Sequence, residues 1–395
     1  MNVKPLGGLR ILDFTWMLAG PYATRTFADF GAEVIKIQSK KTAHGVESNL
    51  TGYFNTWNRN KRSVTLDLSH PEAKEIVLRL TTKCDVVIEN FSPRVMSNWG
   101  LNYEELKEVK PDLVMLSMSA MGQGGPWKDY VAFAPTLHAL SGLTQLTSFE
   151  KGSPLGPGYA YADIVAGLYG TLSILAALEY RDRTGQGQYI DLSEYEALCT
   201  LLGPSLLDAS VNDKEVQPRG NSPDYIAAAP YGCYRCSGED QWCVIAVSSE
   251  AEWQSLCRVL GYPVWMKEKR FSTVAKRREN RKELDDFLTE WTTQHSAEAV
   301  VHLLQEAGIP AGVVQSAEDL SKDAQLRDRD FYVTLSHPIL GKTISDRSPI
   351  RFEEDLTASW KAAPQLGEDN RYVFLELLGF SETELSRCIE KGVVG

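Results

Sequence analysis

From residue 9 to residue 121 the chain alternates strand-like and helix-like stretches, and nothing else in it restricts the fold as strongly. Residues 9–15 (LRILDFT) read as a first strand and 33–38 as a second, with a helix over 21–30 between them. Gly20-Pro21 marks the helix start, because proline is preset for a first helical turn. Strand, helix, strand at this spacing requires a parallel pair, since a crossover of that length cannot be a hairpin. A third strand follows at 63–68, then a helix over 71–83 with Ile76, Leu78 and Leu80 among its apolar positions. Residues 85–91 read as a buried strand, 104–109 as a short helix and 113–121 as a further strand. Together they predict a doubly wound α/β sheet.

Such a sheet invites a dinucleotide reading, but the first strand-to-helix turn is Trp16-Met17-Leu18-Ala19-Gly20-Pro21. It lacks the GxGxxG that lets a backbone approach a pyrophosphate, which argues against hydride transfer. The cluster Gly122-Gln123-Gly124-Gly125-Pro126 precedes no convincing helix and reads as a turn. A helix around 137–143 leads to the longest apolar run in the chain. Residues 164–178 carry no charge, so this segment is expected as a helix buried on nearly all sides and too short to span a membrane. Asp163 stands directly in front of it. One reading makes Asp163 an N-cap, with its carboxylate favoured by the helix dipole. A second makes the same carboxylate a nucleophile toward an activated acyl group, and both can hold together. Residues 185–193 then read as a strand and 194–207 as a helix.

The expected organisation is an α/β domain over 1–207, a polar linker at 208–229, a smaller α+β domain at 230–316 and a returning segment at 317–395 that packs on the first domain. In the small domain a hairpin (231–236 and 241–248) precedes helices at 250–260, 277–294 and 297–308 and a strand at 311–315. The last segment reads as loops, short strands around 331–335 and a helical stretch at 368–378. Cys233, Cys236 and Cys243 have no fourth cysteine or histidine close by, so the hairpin is preferred to a metal site. A net charge of −11 argues against nucleic acid or an anionic membrane as partner. The N-terminal residues contain no apolar signal region, and the seven scattered cysteines suit a reducing compartment, so a cytoplasmic location is expected.

Five patches, taken in order, resemble the class III coenzyme A transferases, the family of formyl-, carnitine- and bile-acid-CoA transferases. They are LRILDFTWMLAGPYATRTFADFGAEVIKIQ from Leu9, NKRSVTLDL from Asn60, DVVIENFSP from Asp85, ADIVAGLYGTLSILAALEYRDRTGQGQYIDLS from Ala162, and APYGCYRCSGEDQWCVIAV from Ala229. The resemblance implies that Asp163 is the catalytic aspartate, that an acyl-CoA thioester and a free carboxylic acid are the substrates, that no cofactor is tightly bound, and that two chains form an interlocked dimer. It further implies coenzyme A contacts at Leu18 and Ala19 in the first loop, along Leu66, Asp67, Leu68 and Ser69, and at Asn90, Phe91 and Ser92. Lys40, Arg94 and Lys128 are the basic candidates for its phosphates.

The chain also departs from the family pattern. Its second strand ends in Gln38-Ser39-Lys40 rather than Glu and a basic residue, and Asn98 stands where a phosphate-binding arginine is frequent. The polyglycine loop of formyl-CoA transferase has no counterpart; Arg219-Gly220-Asn221 is the shorter candidate for a lid. An α-methylacyl-CoA racemase is the nearest alternative activity. It needs a second acid–base group, yet Phe133 occupies the position of the racemase histidine and His138 lies a turn away. A further alternative is one subunit of a hetero-oligomeric transferase. Trp16, Trp127, Phe133 and Tyr161 suit either a bulky acyl group or ordinary core packing.

Overall fold

In the computed structural model, which describes residues 4–149, 153–214, 217–218, 220–221, 226–353 and 355–395, the alternation becomes a sheet. In chain order the elements are β1 (Arg10–Asp13), α1 (Ala19–Asp29), β2 (Glu33–Gln38), α2 (Gly52–Asn58), β3 (Arg62–Thr65), α3 (Ala73–Thr81), β4 (Val86–Glu89), α4 (Arg94–Asn98), α5 (Tyr103–Val109) and β5 (Val114–Ser119). Two short helices, α6 (Ala134–Leu140) and α7 (Leu143–Leu146), precede the long α8 (Tyr161–Thr184). Then come β6 (Tyr189–Ser193), α9 (Glu194–Cys199) and α10 (Gly203–Val211).

The six strands lie in the order β3-β2-β1-β4-β5-β6, every neighbour parallel. Central strands covered by helices on both faces are mostly apolar, and β4 and β5 are buried at every position, with Glu89, Ser117 and Ser119 their polar residues. One face packs Leu12, Ile35, Val64 and Val87 against α3 and the C-terminal residues Val373, Phe374 and Leu385. The other packs Ile11, Val34, Ile88 and Leu116 against α1 and α8. The chain leaves β1 toward β2 on one side and returns to β4 on the other. A crevice therefore forms at the carboxyl ends of β1 and β4, the usual ligand position in such sheets.

By compactness the chain divides into one unit of 1–144, 156–216 and 326–395 and another of 145–155 and 217–325. The stretch expected as a linker from 208 is helical up to Val211, and 145–155 joins the second unit, which chain order did not suggest. In the second unit, β7 (Tyr231–Arg235), β8 (Trp242–Ala246) and β9 (Ala311–Val313) form an antiparallel sheet. Its core includes Tyr234, Trp253, Phe271, Leu284 and Val300. Arg277 is buried there, its guanidinium 4.4 Å over the Trp253 ring and bonded to Glu250 at 2.9 Å. The tail contains more structure than expected: an antiparallel hairpin at Tyr332–His337 and Gly341–Asp346, a π-helical turn at Tyr372–Leu377, and a capped helix at Glu382–Glu390 that its charged outer face concealed.

Helix α8 corrects the sequence reading in three ways. It begins at Tyr161 with Ala160 at the N-cap, so Asp163 sits inside the first turn rather than at the N-cap position. It has 24 residues and is long and apolar enough to cross a membrane, because the uncharged run alone understated it. It is also buried on one side only: Ala166, Gly167, Gly170, Ile174 and Ala177 face inward, whereas Leu168, Tyr169, Leu172 and Leu175 are exposed. A 24-residue helix over one sheet can present just one face to it.

The inward face is narrow because α1 lies very close. A Cβ on Gly167 would stand 2.8 Å from the Ala19 carbonyl oxygen and 2.9 Å from the Tyr22 ring. Overfilling such a contact costs roughly 1–3 kcal/mol. Gly167→Ala is therefore expected to lower stability by about that amount in denaturant titration, and an unchanged midpoint would show that α1 and α8 are free to separate.

Candidate active site

The loop from β1 to α1 is held from below by charges that no water reaches. Asp13, at the end of β1, accepts through Oδ1 from the Thr15 backbone N–H at 2.8 Å and the Thr15 hydroxyl at 2.5 Å. Its Oδ2 accepts from the Thr24 hydroxyl at 2.7 Å and from Lys61 Nζ at 3.1 Å. Lys61 also donates to Asn58 Oδ1 at 2.8 Å and to the Pro21 carbonyl at 3.2 Å, while Lys36 donates to the Thr15 carbonyl. Burial works to raise the Asp13 pKa, but Lys61 and Lys36 outweigh it and hold the carboxylate below its ordinary range. Burial pulls Lys61 down to about 7 against the attraction of Asp13. Each charge is thus tolerable only because the others are present.

Above this base the loop is fixed residue by residue. Asn90, just past β4, accepts from the Trp16 N–H at 2.9 Å and donates to the Trp16 carbonyl at 3.0 Å. Met17 adopts φ 59°, a left-handed conformation that a non-glycine residue avoids, and its N–H donates to Glu47 at 2.8 Å.

A cavity of about 380 Å³ opens over the carboxyl ends of β1 to β4. Its lining includes Trp16 and the four residues Leu66, Asp67, Leu68 and Ser69, with Phe91 and Trp99. Five of the residues singled out from sequence, Leu66 to Ser69 and Phe91, therefore share one cavity. Lys41 rather than Lys40 is the lysine at its edge, bonded to Asp67 at 2.7 Å and to Ser69 at 3.3 Å. That contact with Lys41 brings the Asp67 pKa down to about 2. Lys40 instead lies near Gly395. Leu18 and Ala19 turn their side chains into the core, Asn90 is spent on Trp16, and Ser92, Arg94 and Lys128 are exposed outside the lining.

Asp163 lies at the far end of the same loop. The backbone N–H groups of Ala19 and of Asp163 itself act to lower its pKa, but burial dominates and raises it to about 6. Its Oδ2 is buried and has no hydrogen-bond partner among the described residues. Tyr53 on α2 is pushed up to about 12, first by burial and then by Asp163 and Glu47, so it remains a protonated phenol beside the carboxylate. Glu194, the first residue of α9, is raised to about 8 by burial and by the charge of Asp163. His138 is committed elsewhere: its Nε2 accepts from the Ala162 N–H at 3.2 Å and burial lowers its pKa, while Phe133 is exposed. Arg219 lies outside the described residues; Gly220 belongs to the second unit, where its N–H donates to the Ser148 carbonyl at 3.1 Å. Among the described residues no three His, Cys, Asp or Glu side chains are arranged to hold a metal ion.

Sequence reasoning missed Lys36, Lys41, Tyr53 and Glu194. Glu194 alone had a usable signal, since it directly follows a strand at the carboxyl edge of the sheet.

Comparison with known proteins gives the family. The model of CoA-transferase family III matches residues 6–370. A "Succinyl-CoA--D-citramalate CoA-transferase" from Chloroflexus aurantiacus is 31% identical over 99% of this chain and 98% of its own length. A mouse (Mus musculus) "Succinyl-CoA:glutarate CoA-transferase" is 30% identical over 100% of this chain and 91% of its own. The crystal structure of a CAIB/BAIF family protein from Brucella suis superposes with a TM-score of 0.86 at 31% identity, covering 95% of this chain and all of that one. These matches identify an enzyme that transfers coenzyme A. The chain belongs to CoA-transferase family III.

The buried charges under the loop generate a stability test. Lys61→Met leaves Asp13 ionised without its main partner, a change that costs about 3–5 kcal/mol in buried pairs. Equilibrium unfolding should show a loss of that size, and the double variant Lys61→Met with Asp13→Leu should recover part of it.

Proposed function

We propose that this enzyme moves coenzyme A from an acyl-CoA to a free carboxylic acid through covalent intermediates on Asp163. The observation that carries the reading is a buried carboxylate with one unpartnered oxygen, facing a loop whose other end lines a cavity at the switch point of the sheet. Attack by Oδ2 on the thioester carbon breaks the C–S bond, yielding a mixed anhydride and coenzyme A thiolate. The thiolate attacks the aspartyl carbonyl, releases the donor acid as its carboxylate and leaves an aspartyl thioester. The acceptor carboxylate attacks that thioester and expels the thiolate, which then attacks the acceptor acyl carbon and regenerates Asp163. Each step takes in one anion and releases one, so the cycle needs neither ATP nor a proton.

The cavity is the proposed seat of coenzyme A, with Leu66 to Ser69 and Phe91 against its apolar parts and Asn90 acting through Trp16. Leu18 and Ala19 contribute backbone. Exposed Lys40, Arg94 and Lys128, with Ser92 beside them, are placed to meet phosphates by reach. Because both reported relatives are named for succinyl-CoA and a dicarboxylic acid, succinyl-CoA is the first donor to test, with dicarboxylic acids as acceptors. The apolar face of α8 left exposed by Leu168, Leu172 and Leu175 supports a dimer, consistent with a family of interlocked chains. Seven free thiols support a cytoplasmic setting.

Incubation with succinyl-CoA followed by hydroxylamine should place a stable hydroxamate on Asp163, read by peptide mass spectrometry. Asp163→Ala should lose the adduct and at least about 10³-fold in transfer rate; a folded variant that retains the rate disproves the nucleophile. The raised pKa sets the sign of the pH dependence. Asp163 is ionised above about pH 6, so the rate should fall as pH drops through that value and not near pH 4.

A further inference from the structure

Helix α9 begins where α8 begins, and the sheet explains why. Gly170 packs on Leu116 and Met118, with an added Cβ falling 3.0 Å and 3.7 Å from those side chains. On the next strand, Leu192 pairs with Met118 and Ser193 with Ser119. The residues before Gly170 and those after Leu192 therefore both pass the carboxyl edge of the sheet, and they include Asp163 and Glu194. The Tyr195 N–H donates to the Ala120 carbonyl at 2.9 Å, and the Tyr169 and Thr200 hydroxyls meet at 3.1 Å, joining α9 to β5 and to α8. Glu194 is 8% exposed.

We propose that Glu194 is a positioning residue for Asp163: its carboxylic acid, enclosed with the Asp163 carboxylate between α8 and α9, keeps the single proton of the pair. This rests on Asp163 being the nucleophile. Two carboxyls in one poorly solvated space do not ionise together, and the less solvated one retains the proton. Glu194 is the more enclosed of the two, and its raised pKa agrees with that order. Neutral Glu194 leaves Asp163 as the sole anion and can donate to its unpartnered oxygen. Ionised Glu194 adds a second negative charge just where thiolate and carboxylate anions must arrive. Since the transfer cycle moves no net proton, the one on Glu194 stays throughout.

The other titratable groups around α9 do not compete for this role. From α6, His138 is neutral and accepts from the Ala162 N–H. From β6, Asp191 accepts from the Gln123 N–H at 2.9 Å. From α8, Tyr169 is engaged with Thr200. On α9 itself, burial pushes Tyr195 and Cys199 up, keeping both neutral, and Glu196 follows two residues on.

The test is the alkaline limb of the rate profile. For the unaltered enzyme, kcat/KM for the acceptor acid should fall about tenfold per pH unit above about pH 8. Glu194→Gln, which stays neutral and still donates, should keep the pH 7 rate within about threefold and lose that limb. Glu194→Met should also lose the limb but be about tenfold slower at every pH, because it cannot donate. A limb at the same pH in either folded variant overturns the proposal, as does equal speed of the Gln and Met variants at pH 7. Should both variants fail to fold, infrared spectroscopy of the unaltered enzyme decides: a protonated-carboxyl band must persist at pH 7 and vanish above about pH 8. Hydroxamate trapping in parallel separates the two ideas. No adduct on Asp163 in the unaltered enzyme removes the nucleophile itself, whereas an adduct with an unchanged limb in the Gln variant removes only the role of Glu194.

Discussion

The ion pair between Asp13 and Lys61 is the interaction on which the site depends. Two charges without solvent are a poor source of stability, since their desolvation offsets most of their attraction. They do, however, specify geometry. With Asp13 bonded to Thr15, Thr24 and Lys61 at once, the chain leaving β1 has one available path. That path presents Trp16 to the cavity on one side and the Ala19 N–H to Asp163 on the other. The strained Met17 between them is retained by its bond to Glu47.

Close packing then converts a fixed loop into a fixed distance between cavity and carboxylate. Gly167, one turn after Asp163, lets α8 approach α1 to within a contact that no Cβ fits. A bulkier residue there would move the Asp163 carboxylate away from the loop whose N–H it accepts. The same closeness removes water, and the raised pKa of Asp163 is the electrostatic result. A carboxylate that titrates near 6 is still ionised at neutral pH, and it is more basic and less solvated than one in water. Both properties suit the role proposed for it.

Much of this was legible along the chain. Residues 33–38 were read with the bounds that β2 has, and the remaining strands of the large sheet were found with ends displaced by a few residues. Apolar runs bounded by turn residues are a local property, and parallel order follows from the crossovers between them. Asp163 was conspicuous as the one charge ahead of a long uncharged run. The four-residue stretch Leu66 to Ser69 and Phe91 fell where strand ends open on the cavity. The sequence points to Lys40, whereas Lys41 borders the cavity, because spacing cannot tell which of two adjacent side chains a turn directs inward.

The alternation of strands and helices, the carboxylate at the head of α8 and the family to which the five patches point are each written in consecutive residues, so residue order alone carries them. Which titratable groups act on one another is settled instead by the fold. Asp13 and Lys61 are 48 positions apart, and Asp163 and Glu194 lie on different helices. Solvation and charge coupling depend on distance through the fold rather than along the chain, so the protonation states that make this carboxylate useful have no signature in residue order.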